Sequence, residues 1–291
     1  MNEHQWLAER FEQNRERLGA VAYRMLGSRS EADDAVQESW LRLNRSDLSG
    51  VENLEGWLTT VAARVCLDML RARKSRGEES LEMHVRDHIA DGKSGTDPEQ
   101  EALLADSVGL ALLVVLEKLA PAERLAFVLH DMFAVSFDEI GQIVGRSPTA
   151  ARQLASRARR RVRGTSTAEG SVLRLQREVI EAFLAASRCG DFGALLAVLD
   201  PDVVLRADGP VGTARVIRGA TGVAGQAFAF SGRAGFARTA LVNGNVGVVV
   251  APRGRLLVAF QFRVIQGKIA EIDVVTAPER FGQLDLAVLD D

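Results

Sequence analysis

One stretch of the chain places hydrogen-bonding and cationic side chains at helical spacing. Residues 142–164 include seven arginines and no acid. At about 100° per residue, Thr149, Gln153, Ser156 and Arg160 project from one face of a helix, with Arg152 and Arg157 flanking them. Amides and hydroxyls suit base edges in a major groove, and guanidinium groups suit guanine or phosphate. A solvated basic helix would explain any one of these arginines, but not what precedes them. Ser136 and Glu139 stand just before Ile140, Ile143 and Val144, which reads as a capping box opening an apolar stripe. Gly145 and Arg146 break that helix, Ser147 caps the next, and Pro148 occupies its first turn, where a missing N–H is harmless. Ala151, Ala155, Ala158 and Val162 point away from the polar set and are small enough for the helix to lie close on its partner. Together these features predict a helix-turn-helix whose second helix has an outer face fit to read DNA.

Charge elsewhere also comes in blocks, which the net value of −3 conceals. Segment 57–77 has five bases against one acid, and segment 78–106 has two bases against nine acids. At 291 residues, 47% hydrophobic and 26% charged, the chain has room for two or three small modules of ordinary globular composition. The apolar run Leu110 to Leu116 is far short of the roughly 18 residues a membrane span needs. The first residues carry acids and no apolar segment, which argues against a secretory signal. Cys66 and Cys189 have no metal-ligand spacing. The expectation is a cytoplasmic protein with no metal, no cofactor and no membrane partner.

Helical periodicity must position these groups up to about residue 77. Ser30 and Asp33 read as a cap, and Ala32, Val36, Trp40 and Leu43 form one apolar stripe. Asp34, Gln37, Glu38 and Leu41 make a separate face. A second helix beginning near Trp57 buries Leu58, Val61, Val65 and Met69, and turns Thr60, Arg64, Asp68, Arg71 and Lys74 outward. The acidic 78–106 segment, with its glycines and Pro98, reads as a linker. Helical pattern returns over 107–164, and 165–171 reads as a short tether. Residues 172–199 are amphipathic helix broken at Gly190 and Asp191; from Val203 onward, β-branched runs alternate with glycine turns. That is a helices-then-antiparallel-sheet pattern, an α+β domain.

The segments EADDAVQESWLRL, NLEGWLTTVAARVCLDMLRARKSR and LAPAERLAFVLHDMFAVSFDEIGQIVGRSPTAARQLASRARRRV resemble, in order, regions 2 and 4 of extracytoplasmic-function sigma factors of the sigma-70 family. These are promoter-recognition subunits of bacterial RNA polymerase. Segments LLAVLDPDVVLRADG and IRGATGVA resemble a SnoaL-like, polyketide-cyclase type of cone-shaped domain, which one group of these factors carries at the C-terminus. The resemblance implies a multidomain fold: all-α region 2 over 1–77, the acidic linker over 78–106, helix-turn-helix region 4 over 107–164, the tether over 165–171, and an α+β SnoaL-like domain over 172–291. It implies two polymerase contacts, with the coiled-coil clamp of β′ and with the β flap. Asp34, Gln37, Glu38 and Leu41 would meet the clamp. Asn53, Arg64, Arg71 and Lys74 would hold the melted −10 element, with Asp68 orienting Arg64 and Arg71. Thr149, Arg152, Gln153, Ser156, Arg157 and Arg160 would read the −35 element, and the linker would run toward the RNA path. Two departures stand out: Val65 where many members have Asn, and Asp208-Gly209-Pro210-Val211 where members often have a DGGGK-like motif.

Catalysis by the C-terminal module is not expected. All four histidines (His4, His84, His88, His130) and Tyr23 lie upstream of it, so an acid–base pair would have to come from Asp202, Asp208, Glu271 and Asp273. Asp202 and Asp208 read as turn residues at strand ends. The module reads instead as a regulator that contacts regions 2 and 4 intramolecularly at an effective concentration of about millimolar, holding a closed, inactive arrangement. A small apolar ligand in its pocket is compatible with this reading, but the sequence does not show one. The competing reading is a ligand-responsive helix-turn-helix regulator. Such a protein needs neither the docking face of 31–43 nor the −10 helix.

Overall fold

A computed structural model describes residues 3–46, 50–51, 53–77, 109–164, 170–208, 215–230, 236–251 and 256–289; the segment read as the 78–106 linker lies outside them. Leu7, Phe11, Leu18, Val21, Ala22 and Met25 recur on one side of helix α1 (Glu3–Leu26) and are buried. They pack on α2 (Arg29–Leu43) and α3 (Leu54–Gly77). Helix α2 starts earlier than Ser30 predicts, because Ser28 is the cap: its Oγ accepts the Glu31 N–H at 3.5 Å. Helix α3 likewise starts at Leu54 rather than near Trp57, capped by Asn53, whose Oδ1 accepts the Gly56 N–H at 3.0 Å. The stripe on α2 holds as expected, with Trp40 half-buried and tilted on Phe11 at 5.1 Å between ring centroids. On α3, Leu58, Val61 and Val65 are buried and Met69 is half-buried, but Ala62, Ala63, Cys66, Leu67 and Leu70 are buried too. Neighbours on several sides widen this stripe. Burial pushes the Cys66 thiol up to about 12.

After α4 (Leu110–Glu117) come α5 (Pro121–Phe127), one π-helical turn (Val128–Met132), α6 (Phe137–Val144) and α7 (Pro148–Arg163). Helices α5 and α6 pack on α3, and the π turn packs on α1. Arg124 fastens this junction. It stands four residues before buried Val128, hence on the inward stripe of α5, and is only 3% exposed. Its Nε and Nη2 donate to the Arg24 carbonyl at 3.2 and 3.0 Å. That carbonyl is in the last turn of α1, where orphan acceptors and the helix dipole favour a cation. Arg73 of α3 donates to the adjacent Leu26 carbonyl and pairs with Glu31. Burial drives the Arg124 guanidinium down to about 10, opposed by the charge of Glu117, while Arg73 adds to the fall.

Both halves of the capping box are made: Glu139 N–H to Ser136 Oγ at 3.2 Å and Ser136 N–H to Glu139 Oε2 at 3.1 Å. Gly145 ends α6 at φ 69°, and Ser147 Oγ accepts the Ala150 N–H at 3.2 Å to open α7. Gly141 lets the two helices meet, since a Cβ there would lie 2.7 Å from the Arg146 carbonyl oxygen.

Helix α8 (Gly170–Cys189) begins inside the span read as a tether, and Asp191 caps α9 (Phe192–Val198) through the Ala194 N–H at 2.9 Å. Seven strands follow: β1 (Leu199–Ala207), β2 (Arg215–Arg218), β3 (Ala237–Val242), β4 (Asn245–Val250), β5 (Val258–Ile265), β6 (Lys268–Val275) and β7 (Leu286–Ala287), with α10 (Ala220–Ala229) after β2 and α11 (Pro278–Phe281) after β6. The sheet order is β2-β1-β6-β5-β4-β3-β7. It is not wholly antiparallel as expected. β1 and β6 run parallel, with Leu205 opposite Ile272. Helices α8 and α10 cover the sheet; Ile180, Phe183 and Val223 meet Val203, Val248 and Ile272 in one core.

The chain divides into two compact units. One holds α1–α3, the end of α4, α5, α6 and α7 up to Arg159. The other holds the start of α4, the last turn of α7 from Arg160, and everything from α8 onward.

Two substitutions probe the first unit. Gly141→Ala must displace backbone at the helix-turn-helix and should lower stability by about 1–3 kcal/mol. Arg124→Ala leaves a buried carbonyl without its partner and should cost a similar amount, about 1–3 kcal/mol. Thermal unfolding by circular dichroism reads both; wild-type melting in either variant would show that its contact does not hold the unit together.

Candidate nucleic-acid interface

The side chains expected to read DNA lie on one exposed side of α7. Thr149, Arg152, Gln153, Ser156, Arg157 and Arg160 are all exposed, while Ala151, Ala155, Ala158 and Val162 on the other side are buried. Small side chains bring α7 close to its support, and the polar set is what remains for solvent. The arginines are not equivalent. The Arg152 guanidinium lies 5.1 Å over the Phe137 ring, which in turn stacks on His130 at 3.9 Å. Arg157 Nε donates to Glu123 Oε1 at 3.0 Å, and that carboxylate is only 8% exposed. Arg159 Nε donates to Asp131 at 2.5 Å. Arg157 and Arg159 are therefore rooted on acids from α5 and the π turn, which fixes their direction without hiding them completely. Glu123 and Asp131 were not legible as site residues. Their signal is faint: two acids in an apolar segment, each about 30 residues from its arginine.

A second cationic face lies on α3. Arg64, Arg71 and Lys74 are exposed along one side of the helix, and Asp68 sits 3.8 Å from Arg71. Asn53 is exposed at the helix start, with its Oδ1 engaged by the cap. Val65 is buried. On α2, Asp34, Gln37 and Leu41 are exposed, and Leu41, at 40%, is a large apolar residue open to solvent beside two polar ones. Glu38, on the same face, accepts from Arg42 Nε at 2.9 Å, an ordinary i,i+4 pair.

Nucleic-acid backbone would meet guanidinium and ammonium groups on α3 and α7, and base edges would meet the amide and hydroxyls of α7. Among the described residues no group of His, Cys, Asp or Glu is arranged to hold a metal ion. No described helix is long and apolar enough to cross a membrane.

Comparison with known proteins follows this division. Residues 10–76 match Sigma-70 region 2, and residues 109–162 match Sigma-70, region 4. The chain is 38% identical over 250 residues to the ECF RNA polymerase sigma factor SigJ of Mycobacterium tuberculosis, covering 83% of this chain and 80% of that one. It is 37% identical over 204 residues to the probable ECF RNA polymerase sigma factor SigI of the same species, covering 70% of each. The crystal structure of M. tuberculosis SigJ aligns with 94% of this chain and 98% of its own, at 31% identity and a TM-score of 0.45. A ligand-responsive regulator has no use for region 2, so that alternative leaves the match over 10–76 unexplained. With both regions matched in order and most of SigJ covered, the chain belongs to the extracytoplasmic-function RNA polymerase sigma factors.

Proposed function

We propose that α2, α3 and α7 divide the work of directing core polymerase to one class of promoter. Asp34, Gln37 and Leu41, with Glu38 held by Arg42, dock on the β′ clamp. Asn53, Arg64, Arg71 and Lys74 hold the unpaired −10 strand. Thr149, Arg152, Gln153, Ser156, Arg157 and Arg160 read the −35 duplex, with region 4 also meeting the β flap. The observation that carries this reading is the simultaneous exposure of both cationic faces, on α3 and on α7. The acidic 78–106 segment is read as the strap toward the RNA path.

The sheet domain is proposed to regulate rather than catalyse. Its cavity is lined, among the described residues, by one carboxyl group, Asp208, and by no His, Tyr or Cys. Glu271 and Asp273 alternate with the cavity-lining Ile272 and Val274 and instead approach Arg206 at 3.8 and 3.6 Å. Regulation through region 4 has support within the second unit. The Val288 N–H donates to the Val162 carbonyl at 2.8 Å, so the end of α7 is tied to the residue after β7. Gly164, at φ +64°, has no space for a Cβ beside Ala287.

Run-off transcription with core polymerase tests both parts. The full chain should give a discrete promoter-dependent product, and Gln153→Ala with Arg152→Ala should remove most of it. Truncation after Gly164 should change the yield, and Gly164→Val should change it in the same direction. Equal yield from all three proteins would refute regulation by the sheet domain. With roughly four phosphate contacts, the logarithm of promoter affinity should fall against log salt with a slope of about −3.6; a slope near zero would contradict the cationic faces.

A further inference from the structure

The sheet domain encloses a cavity of about 590 Å³ whose lining the promoter reading does not use. This is within the range of roughly 300–1,000 Å³ typical of small-molecule sites. Its walls are mainly apolar and aromatic. Phe262 stands edge-on to Phe183 at 5.8 Å and stacks with Phe260 at 6.3 Å, and Val248 and Ile272 complete the same surface. The residues are contributed by β4, β5, β6 and α8, so the cavity belongs to the domain's framework.

Polar side chains in the lining are few: Ser187, Asp208, Arg215, Gln226 and Thr276. The Ser187 hydroxyl donates to the Phe183 carbonyl at 2.8 Å, and the Thr276 hydroxyl donates to the Asp208 carbonyl at 3.4 Å. Arg215 and Gln226 line the cavity as well, and Asp208 is the group with a buried oxygen left unmet. Its Oδ1 accepts from Arg280, while its Oδ2 is closed off from solvent and has no hydrogen-bond partner among the described residues. A buried carboxylate oxygen with no donor is costly and calls for a partner. Arg280 already balances the carboxylate charge, so a neutral donor suffices.

We propose that this cavity is a binding site for a neutral, largely aromatic or apolar small molecule carrying one N–H or O–H group, which donates to Asp208 Oδ2. The apolar walls hold the body of the ligand, and the contact with Asp208 fixes its orientation. The inference does not rest on the promoter assignment, because binding is read on the full chain without polymerase or DNA.

The probe is N-phenyl-1-naphthylamine, a neutral aromatic amine whose fluorescence rises in apolar surroundings. Titration of the full chain should show saturable enhancement at one site per chain. As competitors, diphenylamine should displace it about tenfold better than diphenylmethane, in which a CH₂ replaces the N–H. Asp208→Leu should reduce that preference to about one. Val248→Trp and, on the more tolerant surface of α10, Ala227→Trp fill the cavity. Either, with wild-type circular dichroism, should weaken binding at least about tenfold. No saturable enhancement, undiminished binding in the folded filled variant, or equal competition by the two compounds in the wild type would overturn the proposal.

Discussion

The Arg24 carbonyl at the end of α1 and the Arg124 guanidinium that reaches it are the constraint on which the helical unit depends. A charge at 3% exposure is tolerable only where acceptors are fixed in advance, and a helix C-terminus supplies them. Arg124 lies in the segment matched to region 4, and Arg24 in the segment matched to region 2. The two regions are therefore joined through one buried cation as well as through apolar packing of α5 and α6 on α3. Arg73, pairing with Glu31 and reaching Leu26, closes off the same helix end from the α3 side. With its inward faces committed in this way, α3 presents Arg64, Arg71 and Lys74 to solvent.

The same division of faces governs α7. Alanines at 151, 155 and 158 permit close approach, Gly141 permits the turn, and the polar residues are left outside. Rooting Arg157 on the nearly buried Glu123 restricts the conformational freedom of a long cationic side chain. Which groups of α7 face solvent is thus decided by the packing of the unit.

Much of this was legible in the residues. The Ser136–Glu139 box, the Ser147 cap and the alanine stripe were all readable because local chemistry alone determines them. Ser30 was the wrong cap because Ser28, two residues earlier, fits the rule better, with Glu31 three residues on where Ser30 has Asp33. The parallel pairing of β1 with β6 was hidden because side-chain alternation is the same in either strand direction. Two-residue β7 is too short to show a period, yet the residue after it holds Val162. Arg124, Glu123 and Asp131 were missed for one shared reason: each acts through a partner distant in sequence, which no spacing rule can see.

The most direct test of the account is to purify core polymerase with this chain and sequence the 5′ ends of the transcripts that the complex starts. Two gripping faces on one chain predict start sites preceded by two shared sequence blocks at a fixed separation, with substitution of Gln153 relaxing the upstream block alone. Start sites scattered without a shared sequence, or preceded by a single block indifferent to Gln153, would contradict it.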